Sequence, residues 1–113
     1  MRRGKYNARK TEVDGVTFDS AAEAARYVEL KMLQAAGDIL DLELQPSYTL
    51  VPPFTTERGE KVRAIVYRAD FRYLDARTNR RIVEDVKGMK TEVYKIKRKL
   101  LLWRFPGIDF REL

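Results

Sequence analysis

Asp70, Asp85 and Lys87 are the residues of this chain whose types and spacing could do chemistry. Asp85 and Lys87 stand one residue apart in the segment RRIVEDVKG, which reads as a strand. Side chains alternate along a strand, so these two share a face while Glu84 and Val86 take the other. The segment VRAIVYRADFRYLD, residues 62–75, reads as the preceding strand, and Ala76-Arg77-Thr78-Asn79 joins the two as a hairpin that can bring Asp70 beside the pair. Two carboxylates and an ammonium group at the end of a sheet make a site for a hard divalent cation and a phosphate. The bland alternative pairs Asp70 with its neighbours Arg68 and Arg72, and Asp85 with Lys87, as ordinary ion pairs. Against it, Val-Glu-Asp-Val-Lys-Gly sets three charges inside a central strand, where each is costly unless paired or holding a metal.

The absences narrow the chemistry further. With no His and no Cys, disulfides, Cys/His zinc sites, Ser-His-Asp triads and Cys-His pairs are excluded. An enzyme of this composition works with Asp, Glu and Lys, and with a metal. The 113 residues, 44% hydrophobic and 35% charged, bound one folded domain with a modest core. Lys and Arg outnumber Asp and Glu by 23 to 17, a net +6 that favours a polyanionic partner, nucleic acid first. No apolar run approaches the ~18 residues of a membrane span, and no apolar segment follows the basic start as in a signal peptide. A cytoplasmic protein without membrane contact is expected.

The elements that must position the site follow in order. Residues 1–10 carry Arg2, Arg3, Lys5, Arg9 and Lys10 without an acid, and read either as a solvated terminus or as an arm against phosphates. Residues 11–113 form the single domain. Asp14-Gly15 signals a tight hairpin. Ser20 to Glu23 reads as the capping box of a first helix that runs to Ala36 and ends at Gly37. Glu23 has two readings, the residue reaching back to the Ser20 amide or a third carboxylate aimed at the site. A strand follows with Leu40, Leu42 and Leu44 on its buried face, interrupted by Pro46, and Gln45 is a candidate water or substrate contact. Residues 52–61 read as a polar loop. In the long strand, Ile65, Tyr67, Ala69, Phe71 and Tyr73 share the apolar face. Thr91 caps a second helix to Phe105, with Val93, Ile96, Leu100 and Trp103 as its core stripe. Lys95, Arg98 and Lys99, with Lys90 ahead of them, form a phosphate-facing strip or a solvated face. Leu101, Leu102 and Phe105 exceed one stripe and point to a subunit interface. The last residues close the chain as an edge strand.

The order helix, three strands, helix, strand, with Glu23, Asp70 and Asp85-Val86-Lys87 so placed, resembles the PD-(D/E)XK nuclease superfamily. Within it, Lys5-Tyr6-Asn7, Asp-Gly-x-x-Phe-Asp-Ser-x-x-Glu-Ala, Ala-Asp-Phe-x-Tyr and Val-Glu-Asp-Val-Lys-Gly resemble a small phage-encoded family similar to archaeal-type Holliday junction resolvases. Ala69 stands where the superfamily name has Pro. The resemblance implies an α/β fold with a restriction-endonuclease-like core, a mixed sheet flanked by helices. It implies a magnesium-dependent endodeoxyribonuclease, with Mn²⁺ substituting, that acts as a homodimer on branched or duplex DNA in the host cell. Asp70, Asp85 and the Val86 carbonyl would ligate the metal, Glu23 would be an outer or second-metal ligand, and Lys87 would serve the attacking water or the phosphate. Arg68 and Arg72 would join the basic residues above as DNA contacts.

Overall fold

Asp14 and Gly15 both take positive φ, 53° and 78°, as a type I′ turn demands, and they close an antiparallel hairpin of β1 (Thr11–Val13) and β2 (Val16–Phe18). The structure, a computed structural model, describes residues 9–86 and 90–113. Arg2, Arg3, Lys5 and Lys87 therefore lie outside the described residues. Ser20 Oγ accepts the Glu23 amide N–H at 3.1 Å and starts α1 (Ala21–Ala35). Gly37, at φ 83°, ends it. Its N–H donates to the Gln34 carbonyl and that of Asp38 to the Leu33 carbonyl, the paired bonds of a Schellman cap.

β3 (Ile39–Leu44) departs from simple alternation. Asp41 takes φ 55° and the register against the partner strand shifts between Leu40 and Glu43. The expected buried row of Leu40, Leu42 and Leu44 is thereby broken: Ile39 is buried, Leu42 half-buried, and Leu40 and Leu44 exposed. A bulge re-aims every side chain beyond it.

The long strand expected over residues 62–75 is three. β6 (Lys61–Val62) pairs with β5 (Phe54–Thr55) as a second hairpin, within residues expected to be loop. β7 (Ile65–Arg68) pairs with β4 (Ser47–Val51), and β8 (Phe71–Asp75) with β3. The break between β7 and β8 faces the break between β3 and β4. Gln45 donates its N–H to the Asp70 carbonyl at 2.9 Å, and the Pro46 carbonyl accepts the Ala69 N–H at 3.0 Å. One ribbon thus turns a corner at Gln45-Pro46 and Ala69-Asp70, and its two halves pack on different cores. Tyr67 and Ala69 join Leu50, Val83, Tyr94 and Leu101, whereas Phe71 and Tyr73 join Phe18, Ala24, Tyr27, Leu30, Ile39 and Ile82. Ile65, expected with them, is exposed.

β9 (Arg81–Asp85) and β10 (Asp109–Glu112) complete a four-stranded mixed sheet in the order β10, β9, β8, β3. β10 runs parallel to β9 and the other pairs are antiparallel. The fold is therefore α/β, with α1 over one core and α2 (Glu92–Arg104) over the other.

α2 faces its sheet with a different stripe from the one expected. Leu101 is fully buried and Tyr94 nearly so, while Val93, Ile96 and Trp103 are 62%, 61% and 75% exposed. Phe105 packs edge-on to Tyr48, ring centroids 5.4 Å apart. Leu101 and Phe105, expected at an interface, thus face inward, and three of the four residues expected in the core face outward. Tyr94 and Leu101 are seven residues apart and share a face. Leu101→Ala should lower the unfolding free energy by about 3 kcal/mol, and Ile96→Ala should change it by less than about 0.5 kcal/mol, read from urea midpoints at low protein concentration.

Candidate active site

β9 is an interior strand, yet Glu84 and Asp85 are 1% and 0% exposed. Alternation sends them to opposite faces. Glu84 points toward α1, where Arg26 grips it with Nε at 2.8 Å and Nη2 at 2.6 Å, a fork geometry that suits a carboxylate. The Tyr73 hydroxyl donates to the same carboxylate. These bonds hold the Arg26 guanidinium above its ordinary pKa. Burial, then the bond to Glu84, pushes the Tyr73 hydroxyl up to about 12. Nothing in the local spacing announced this trio, because Arg26 and Glu84 are 58 positions apart.

Asp85 occupies the opposite face with Val83, under α2. Phe71 opposes Glu84 in the last paired row of the β8–β9 register, and Asp70 lies just beyond it, at the corner of the ribbon. The carboxylate of Asp70 accepts the Val86 N–H through Oδ2 at 2.7 Å, and the Asp70 N–H donates to the Glu84 carbonyl at 3.1 Å. Arg72, the partner that an ion-pair reading gives to Asp70, is held elsewhere: its Nε and Nη2 reach Glu43 at 2.9 and 2.6 Å and its Nη1 reaches Tyr48. Asp70 thus sits at the corner of the bent ribbon, tied through its carboxylate to the amide of the residue that follows Asp85. Gln45 sits beside Asp70 through its backbone and takes φ 51°, a left-handed conformation that strains a non-glycine residue.

β10 brings a further carboxylate that no sequence motif marks. Glu112 is the register partner of Asp85. The Tyr94 hydroxyl donates to it, Arg98 Nε lies 3.3 Å and Lys90 Nζ 3.7 Å from it. The Tyr94 hydrogen bond, with the charges of Arg98 and Lys90, holds Glu112 below its usual range. Tyr94 itself is raised by burial, by that bond and by the charge of Asp85. Among the expected phosphate contacts, Lys90 and Arg98 therefore stand around the Asp85 strand end. Lys95 pairs with Glu92 at 3.2 Å and is exposed with Lys99, Arg68, Arg9 and Lys10. Glu23 is buried on the first turn of α1, with the core on that side of the sheet. Among the described residues no three acidic side chains form a group that could hold a metal ion, so Glu23 is not gathered with Asp70 and Asp85 into one ligand set. Lys87 lies outside the described residues.

Residues 3–112 match the model of a family described as "Protein of unknown function (DUF1064)". The chain belongs to that family. Neither a curated protein nor a solved structure matches this DUF1064 chain. No helix among its described residues is long and apolar enough to cross a membrane.

The Tyr73 hydroxyl gives the alkaline face of the site a signature. Its folded pKa, about 12, lies above the ordinary 10.0, so the neutral hydroxyl stabilises the fold fully below pH ~10 and loses that contribution as the pH rises toward ~12. Thermal unfolding of the parent should fall more steeply over that interval than that of Tyr73→Phe. Parallel curves would show that the hydroxyl is not coupled to Glu84.

Proposed function

We propose that this DUF1064 protein is a metal-dependent, structure-selective endodeoxyribonuclease of restriction-endonuclease-like architecture, acting as a Holliday junction resolvase. The observation that carries the reading is the Asp70 carboxylate bonded to the Val86 N–H, the residue next in the chain to the fully buried Asp85.

The donor set fits Mg²⁺. That ion takes oxygen ligands, uses one or two carboxylates and leaves its other positions to water and substrate phosphate, so a pair suffices where a closed all-protein cage would need more. The Val86 carbonyl would supply a third hard oxygen, and Glu23 would take the outer role. Bound there, the ion would polarise a phosphate and lower the pKa of a water. The chain's own residues do the rest. Asp70 is oriented by the Val86 N–H, Asp85 is enclosed under α2, and Lys87 orients or deprotonates the attacking water or neutralises the phosphate. Lys90 and Arg98, tethered by Glu112, add positive charge near the strand end. The alternative is a basic DNA-binding module whose carboxylates only anchor arginines, as Glu43 holds Arg72 and Glu84 holds Arg26.

Cleavage should be assayed on four-way junction, flap, fork, duplex and single strand in Mg²⁺ or Mn²⁺. Lys87→Ala should cut the preferred substrate at least about 100-fold more slowly while binding it undiminished in Ca²⁺. A variant as active as the parent would remove Lys87 from the chemistry.

Resolving a junction takes two symmetric cuts, and one chain offers one site. Val93, Ile96, Leu100 and Trp103 repeat at the three-and-four spacing of a helix-pairing seam, and the exposed members make this face of α2 the surface for a second copy. Ile96→Lys with Trp103→Lys should turn the protein into a monomer by sedimentation without unfolding it. A parent that is monomeric at micromolar concentration, even with junction DNA, would refute the two-copy arrangement.

A further inference from the structure

The face of the sheet that carries Val83 and Asp85 holds a cavity of about 460 Å³ that the proposed chemistry does not use. Tyr48, Val83, Phe105, Pro106, Gly107 and Ile108 line it together with Arg72, Arg81 and Arg104. Its size falls within that of ligand sites, which run from roughly 300 to 1,000 Å³ and are mostly apolar with a few placed polar groups. Its position follows from register: Arg72 opposes Val83, and Asp85 is the next residue of β9 on the same face as Val83. Two residues along a strand span about 7 Å.

The charge around it is unbalanced. Glu43 is the carboxylate that answers these arginines: it takes the fork of Arg72 and lies 3.7 Å from Arg81. Arg104 is anchored through Nε to the Thr49 carbonyl at 3.1 Å, which fixes the plane of its guanidinium. The aromatic members are equally ordered. Arg72 stands 5.5 Å from the Tyr48 ring centroid, and Phe105 meets that ring edge-on. An occupant of this cavity needs a flat apolar body and a negative charge.

We propose that this cavity is a nucleotide subsite: it takes one unpaired base of a DNA strand against Tyr48 and Phe105, with Arg81 and Arg104 on the adjoining phosphate. Bases stack on aromatic rings and guanidinium planes whatever their identity, at about 1–3 kcal/mol each. Arginine forks match phosphate oxygens. The subsite rests on the nuclease reading for its purpose, since it would seat an unpaired nucleotide next to the cut and so favour branched over continuous duplex DNA. Its existence is testable without any cleavage.

The test measures fluorescence anisotropy of a labelled twelve-residue oligothymidylate in EDTA. The ligand is either intact or carries abasic positions at alternate residues. The parent should bind the intact strand about tenfold more tightly than the abasic one. Arg104→Ala with Arg81→Ala should weaken the intact strand by about tenfold or more and shrink the abasic penalty. The same change should lower the slope of log affinity against log salt by about 0.7 for each phosphate that is no longer neutralised. Both arginines are exposed, so circular dichroism should be unchanged. Lys31→Ala, which removes an exposed charge on α1, is the control and should leave the abasic penalty intact. Equal binding of the two strands by the parent, or an arginine variant no different from Lys31→Ala, would overturn the subsite. A chain that shows the abasic penalty yet cuts nothing keeps the subsite and loses the nuclease reading. One that cuts junctions without the penalty does the reverse.

Discussion

Two consecutive carboxylates in an interior strand set the terms for this molecule. Glu84 and Asp85 cannot share a face, and neither meets bulk water, so each side of the sheet must answer a different charge. On the first side the answer is structural. Arg26 reaches in from α1 and Tyr73 from β8, and the resulting trio ties a helix to two strands through a charge that could not otherwise be buried. On the second side Asp85 has the Glu112 strand alongside and Tyr94 near enough to feel its charge, with two cations held by Glu112.

The corner in the ribbon is what makes the second side possible. A continuous hairpin over residues 39–75 would bury its whole apolar row on one core. Gln45 in a left-handed conformation and Pro46, which has no N–H to give, end the first ladder and start another. The facing corner at Ala69-Asp70 frees Asp70 from a strand interior, so that its carboxylate can accept the Val86 amide. The strain at Gln45 lies beside Asp70, whose carbonyl accepts the Gln45 N–H.

Much of this was legible in advance because it is encoded locally. The Asp14-Gly15 turn, the Ser20 and Thr91 caps, the Gly37 stop and the Ala76–Asn79 connection each depend on a few adjacent residues and their backbone preferences. The opposite faces of Glu84 and Asp85 followed from strand alternation alone. The misreadings share one cause. Val93, Ile96, Leu100 and Trp103 are the more apolar stripe of α2, and counting hydrophobicity selects them for the core. The helix instead turns toward the sheet the face of Tyr94 and Leu101, where the Tyr94 hydroxyl finds Glu112. In β3, a single positive φ at Asp41 cancelled an alternation that the residue pattern displayed cleanly.

The sequence by itself determined the α/β class, the two helices with their caps, the chemistry open to a chain without His or Cys, and the opposite faces of Glu84 and Asp85. These rest on composition, short-range backbone preference and the two-residue period of a strand. Only the tertiary structure decided which stripe of α2 is buried, that Arg26 belongs to Glu84 and Arg72 to Glu43, that Glu112 stands beside Asp85, and that a cavity lies over Val83. Each of those joins residues far apart in the chain, and long-range pairings are fixed by the competition of all buried groups for partners rather than by any one segment.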